Sequence, residues 1–182
     1  MPIDPAAAIG AELPPEDFAW SASDVLLYHL ALGAGADPLE PRELRYTLED
    51  RVHVLPTFAV VAQTVHRFEP PAVEYPGISI DLAKVLHGTQ RIDVHRPLPA
   101  DGKARATARV KGVYDKGSAA VIETETVVTD LEGEPIWTNT SSIFARGEGG
   151  FGGDRGPSGP GAPPDRAPDA VLVTPTAPQQ AL

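Results

Sequence analysis

Five histidines, 25 acidic and 15 basic side chains, and no cysteine form the reactive inventory of this 182-residue chain. The missing cysteines remove thiol catalysis, disulfides and Cys-ligated zinc or iron–sulfur sites. No two histidines stand three or four residues apart, so no helical metal pair is expected and no metal site is assigned. Two short stretches stand out. His87-Gly88, within Val85-Leu86-His87-Gly88-Thr89-Gln90, reads either as a ligand contact or as a hydrogen-bonded histidine at a turn leading into a strand. In the first reading, Gly88 lets a ligand approach the backbone and His87 donates to a phosphate or carbonyl. Asp115-Lys116-Gly117-Ser118 reads either as a hairpin tip presenting an ammonium to an anionic ligand or as a solvated turn.

The other candidates are blander. His53 has Asp50 nearby, but a satisfied, half-buried side chain is the simpler reading. His29 falls inside an expected helix, and His66 and His95 flank loops. The run Gly149-Gly150-Phe151-Gly152-Gly153-Asp154-Arg155-Gly156 lacks the Gly-Lys-Ser/Thr of a phosphate loop and has no apolar helix after it. It is either a linker or a backbone cradle with one aromatic anchor. Gly-x-Ser-x-Gly, His-Glu-x-x-His and dinucleotide fingerprints are absent. These residues alone do not name a reaction.

The net charge of -10 argues against nonspecific nucleic-acid binding and against docking on anionic lipid. No apolar run approaches the ~20 residues of a membrane span. Met1 to Pro15 shows no basic n-region and no apolar h-region. A soluble, cytoplasmic protein is the expectation.

The elements that would position these residues are read from patterning. Ser21 with Asp24 resembles a capping box opening a helix, with Val25, Leu26, Tyr28, Leu30 and Leu32 as its apolar face and Gly33 and Gly35 at its end. Residues 43–50 alternate and predict a half-buried strand. Pro56 opens a second apolar segment, 57–65, expected to be a buried helix. Residues 66–79 read as a loop. Four antiparallel strands follow in a meander: 90–95, 103–114, 118–129 and 135–146, with turns at Asp115-Lys116-Gly117 and 130–133. From Gly147 onward, 8 Gly and 7 Pro fall within 36 residues, so folding is expected within 1–146 and a linker over 147–182. The fold class is α+β, with a long antiparallel sheet around a central helix.

Several segments together carry a family resemblance. They are Leu55-Pro56-Thr57-Phe58, the run from Pro76 to Gln90, Arg96-Pro97-Leu98-Pro99, Asp115-Lys116-Gly117-Ser118, Gly149–Gly153 and Pro168-Asp169-Ala170-Val171-Leu172. In this order they resemble the N-terminal half of the MaoC-like (R)-specific enoyl-CoA hydratases, the hydratase 2 family. That family includes the hydratase unit of peroxisomal multifunctional enzyme type 2. The resemblance implies a hot-dog fold, in which a curved antiparallel sheet wraps a long helix. It implies hydration of trans-2-enoyl-CoA to (3R)-hydroxyacyl-CoA in fatty-acid or steroid side-chain β-oxidation, with no cofactor beyond the CoA thioester itself. It assigns His87, Gly88 and Lys116 to acyl-CoA binding.

The family takes its base and acid from an Asp-x-Asn-Pro-x-x-His motif in a second hot dog. Nothing in this sequence matches that motif, so no catalytic residue is assigned and the chain alone is expected to be inactive. It would be half of such an enzyme, its 147–182 linker aimed at a second hot-dog domain, or a binding subunit of a split heteromeric hydratase. The remaining alternative is a non-catalytic acyl-CoA-binding or regulatory hot dog. A lone half would expose apolar surface and tend to self-associate.

Overall fold

In chain order the elements are α1 (Pro5–Ala8), β1 (Glu16–Trp20), α2 (Ala22–Ala31), α3 (Leu44–Thr47), β2 (Glu74–Tyr75), β3 (Ile78–Ser79), β4 (Val85–Val94), β5 (Gly102–Asp115), β6 (Ala119–Thr129) and β7 (Pro135–Arg146). Among the described residues, 3-10 turns at Glu49–Arg51, Pro56–Val60 and Leu82–Lys84 punctuate them. The computed structural model describes residues 3–37, 39–67, 74–159 and 161–176.

One five-stranded antiparallel sheet, in the order β1-β5-β6-β7-β4, makes the body. The last three strands form the expected meander. The strand before them does not: β4 pairs with β7, because β1 already occupies the outer edge of β5. The crossing at 95–101 is pinned by His95 N–H to the Ile136 carbonyl (2.9 Å), by an Arg96–Asp130 ion pair (2.6 Å) and by Trp20 Nε1–H to the Pro99 carbonyl (3.0 Å). Gly102 lies directly against the Trp20 indole, where a Cβ would collide with the ring. β4 also begins at Val85, five residues before the expected start, so His87 and Gly88 lie within a strand.

Three expectations about the first 65 residues are corrected. Residues 43–50 are not a strand: α3 and a 3-10 turn occupy them. Their carbonyls go to other partners, Arg45 O to His53 N–H (2.7 Å) and Tyr46 O to His29 Nδ1 (2.8 Å). The segment 57–65 is a 3-10 turn followed by further turns rather than an α-helix. It still buries Phe58, Ala59 and Ala62, and the Ala59 carbonyl accepts from Asn139 Nδ2 (2.9 Å). The long central helix is a ten-residue one, α2. Its capping box forms as expected, with Ser21 N–H and Oγ–H both reaching Asp24 Oδ2 at 2.8 Å. It turns Val25 and His29 inward and leaves Leu27 and Leu30 exposed. β1, a short edge strand, was not anticipated. Part of the expected 66–79 loop falls at 68–73, outside the described residues, and the rest contains the β2–β3 pair.

The helix-facing side of the sheet carries two apolar clusters. One gathers Trp20, Val25, Phe58, Ala59, Val128 and Trp137, with the Trp20 and Trp137 rings edge-on at 5.8 Å. The other gathers Ile3, Ala8, Ile78, Val110, Ile122 and Ala145 at the opposite end. Between them on the same face stand Thr124, Thr126, Asn139 and Ser141, all only half-buried, and the exposed Gln90.

His29, fully buried, ties α2 to α3 and to the residue that opens the 56–60 turn. Its Nε2 accepts the Leu55 N–H (3.2 Å), which places the ring proton on Nδ1, donated to Tyr46 O. His29→Leu would leave a part-buried donor, Leu55 N–H, and a part-buried acceptor, Tyr46 O, without this partner. The expected loss is about 2–4 kcal/mol of stability, read as a lower midpoint in urea unfolding. An unchanged midpoint would show that these segments do not depend on this ring.

Candidate functional site

A strand places consecutive residues on opposite faces, and this divides the three sequence-predicted site residues. Gly88 and Lys116 line one cleft of about 620 Å³ on the face of the sheet away from α2. Thr89, Tyr114, Val121, Ser142 and Phe144 complete its floor, and Pro157–Gly159 wall it from above. His87 stands opposite Ile143, whose side chain belongs to the helix-side apolar cluster. It is exposed and does not line the cleft.

Gly88 marks a bulge on the edge strand. The pairing passes from His87↔Ile143 directly to Thr89↔Ser142, so Gly88 has no partner residue. Ser142 fills the gap with its side chain. Its Oγ accepts the Thr89 N–H (3.0 Å) and lies 2.8 Å from Thr89 Oγ1. A Cβ on Gly88 would come within 2.6 Å of that Oγ. The bulge therefore requires glycine, and it brings β4 backbone to the rim of the cleft.

Lys116 sits at the tip of the β5–β6 hairpin, as expected, but its ammonium is not simply solvated. It donates to the carbonyls of Arg155 and Pro157, the latter at 3.0 Å. An ammonium carries three N–H donors, so one remains for another acceptor. Arg146 follows Phe144 on the same face at the end of β7, opposite Ala119. Lys116, Arg146 and Arg155 thus gather at one end of an otherwise acidic chain.

The glycine-rich run after β7 is the cradle rather than the plain linker of the two readings above, and the anion it holds is internal. Asp115 accepts from Gly117 N–H (2.7 Å) and Gly150 N–H (2.9 Å) on Oδ1 and from Gly152 N–H (2.7 Å) on Oδ2. Gly150 and Gly152 reach this arrangement at φ +82° and +80°, which other residues rarely adopt. Phe151 packs against the second apolar cluster. Lys84 holds the same stretch from the other side through the largely buried Glu148 (2.9 Å), whose carboxylate raises the lysine above its ordinary pKa. Beyond this docked stretch the described part of 161–176 forms neither helix nor strand. Among the described residues, no group of three or more His, Asp or Glu is placed to hold a metal, and no helix is long and apolar enough to cross a membrane.

The strand order, the antiparallel pairing and the helix lying on one face define a hot-dog domain. The chain belongs to the family described as the MFE-2 hydratase 2 N-terminal domain, whose model matches residues 18–147. It is 55% identical over 182 residues to enoyl-CoA hydratase ChsH3 of Mycobacterium tuberculosis, covering all of this chain and 64% of that protein. It is 35% identical to peroxisomal multifunctional enzyme type 2 of Mus musculus, covering 96% of this chain and 24% of that one. Among solved structures, a MaoC-like dehydratase from Phytophthora capsici matches with a TM-score of 0.73 at 25% identity, over 92% of this chain and 58% of that one. The chain therefore spans under two thirds of the length of these relatives.

Two outcomes follow from the geometry. Gly88→Ala should cost about 1–3 kcal/mol by forcing Ser142 aside, seen as a lower melting temperature. The Asp115 clamp should be insensitive to mild acid. The Gly150, Gly117 and Gly152 N–H groups hold its carboxyl below the ordinary aspartate value of 3.8. A depressed folded pKa gives a contribution that is complete above the unfolded value and lost as pH falls through the folded one. Limited proteolysis of 147–159 should stay constant from neutral pH down to about pH 4.5 and rise only below the ordinary aspartate range. Cleavage that rises already near pH 6 would contradict this.

Proposed function

We propose that this chain is the acyl-CoA-binding half of an (R)-specific 2-enoyl-CoA hydratase, acting on trans-2-enoyl thioesters in fatty-acid or steroid side-chain β-oxidation. One observation carries the reading. At the Gly88 bulge the edge strand touches both a cleft lined by Lys116 and the helix-side face between two apolar clusters. A long thioester crossing that edge would set its phosphates near Lys116, with Arg146 and Arg155 close by. Its acyl chain would lie on the other side, past His87. An ammonium neutralises phosphate as a point charge, and an unpaired glycine exposes backbone to the pantetheine amides. The CoA thioester is the substrate, and the reading requires no further cofactor.

Hydration needs a base to activate water and an acid to protonate the α-carbon. Among the described residues the cleft offers a single carboxylate, Glu123, 3.3 Å from Lys111, and no histidine. The base and acid are therefore assigned to a second hot-dog unit joined along β4. That strand is ten residues long, mostly exposed, and sits at the sheet edge, where an uncovered ladder invites pairing. The second unit is supplied either within a longer chain, through 147–182, or by a companion subunit; a soluble cytoplasmic location goes with either arrangement.

Titration of the chain with a medium-chain enoyl-CoA should give saturable binding, weakened about tenfold by Lys116→Ala, as expected for one lost charge-assisted bond. The same chain should leave the enoyl-thioester absorbance of crotonyl-CoA unchanged. Robust turnover by the 182 residues alone would overturn the assignment of the chemistry to a second unit. An absence of acyl-CoA binding would overturn the ligand.

A further inference from the structure

We infer that Asp115 is a positioning residue of the acyl-CoA site, holding the segment that both orients Lys116 and walls the cleft. The inference rests on the acyl-CoA reading above and assigns the residue beside the lysine a part in it. Asp115 is itself largely buried, at 8% exposure, and all its hydrogen bonds named here are to backbone: three glycine N–H groups on its carboxylate and its own N–H to the Asp154 carbonyl (2.9 Å). Lys116 continues the contact to residues 155 and 157. Two adjacent hairpin residues thus grip the following segment at 150, 152, 154, 155 and 157.

The approach is too close for side chains. A Cβ on Gly149 would collide with the Gly117 carbonyl, and one on Gly156 would come within 2.5 Å of the Tyr114 ring. The grip has a definite consequence for the cleft. Pro157, Ser158 and Gly159, which follow it immediately, form the wall opposite Val121 and Phe144. The carbonyls that fix the Lys116 ammonium belong to the same stretch. If the carboxylate releases Gly150 and Gly152, the stretch leaves, and Lys116 loses its orientation while the cleft loses its wall. Asp115 touches no ligand in this scheme and acts through its neighbours.

The test is a double-mutant cycle read by acyl-CoA titration of the full 182-residue chain. Asp115→Ala should weaken binding about tenfold, comparable to Lys116→Ala, because both remove the same oriented charge. The double variant should lose clearly less than the two single losses combined, since the part that acts through Lys116 is shared and only the wall is left to lose. Asp115→Asn keeps an acceptor for Gly117 and Gly150 and loses only the Gly152 bond, so it should fall between wild type and Asp115→Ala. If Asp115→Ala fails to fold, Asp115→Asn carries the cycle in its place. Amide exchange at Gly150 and Gly152 should quicken in the same order. Wild-type affinity in the Asp115 variants, or additive losses in the cycle, would overturn the positioning role and leave the acyl-CoA reading standing. A wild-type chain that binds no acyl-CoA would overturn both.

Discussion

A strand of fourteen residues extends about 46 Å, whereas a helix of ten spans about 15 Å. That mismatch shapes the rest of the molecule. α2 cannot cover the inner face of this sheet, so the face is divided. One end is closed by α2 and the 56–60 turn over Trp137. The other is closed by the N-terminal residues and the β2–β3 pair over Ile122 and Ala145. Between the two ends the face carries hydroxyls and the Asn139 amide, which donates to the Ala59 carbonyl, in place of a continuous apolar stripe. Thr124 Oγ1 and Ser141 Oγ lie 3.0 Å apart, so this band satisfies part of its own polarity.

The opposite face solves a different problem. An exposed sheet surface bearing Val121, Phe144 and Tyr114 would be an apolar patch. The chain covers it by returning after β7, and that return needs polar fastening because glycine-rich backbone has little apolar surface of its own. Asp115 and Lys116 supply the fastening with two charges of opposite sign on adjacent residues. The acid takes N–H groups and the base takes carbonyls, so donors and acceptors of the returning strand are both satisfied. On the other flank the fastening is a side-chain ion pair, Lys84 to Glu148.

How much of this was legible in the sequence depended on whether a segment's hydrogen bonds stay within a regular ladder. β5, β6 and β7 alternate cleanly and pair with one another, and their turns carry Gly117 and Gly133 at positive φ, so patterning found them. The 43–50 segment alternates equally well, yet its carbonyls are claimed by His29 and His53, partners no local pattern reveals. The 57–65 segment has the spacing of a helix in Phe58, Ala59 and Ala62, but Asn139, eighty residues on, takes the Ala59 carbonyl. β1 was missed because Trp20-Ser21 reads as the approach to a capping box, and only β5 shows that the preceding five residues are paired. The glycine run admitted a cradle, but the sequence offered no sign that Asp115 was its occupant.

His87 and Gly88 illustrate what adjacency in sequence conceals. As a dipeptide they suggest a single contact surface. In a strand they face opposite ways, and the bulge makes the division sharper by removing the pairing partner of the second. A molecule touching both must pass over the edge of β4 and not lie along either face. In the proposed reading that edge is a crossing point; the glycine itself stands there because any larger residue would meet Ser142. The edge also joins the two sides of the sheet: the polar band between the helix-side clusters, and the cleft lined by Lys116 and walled by the returning chain.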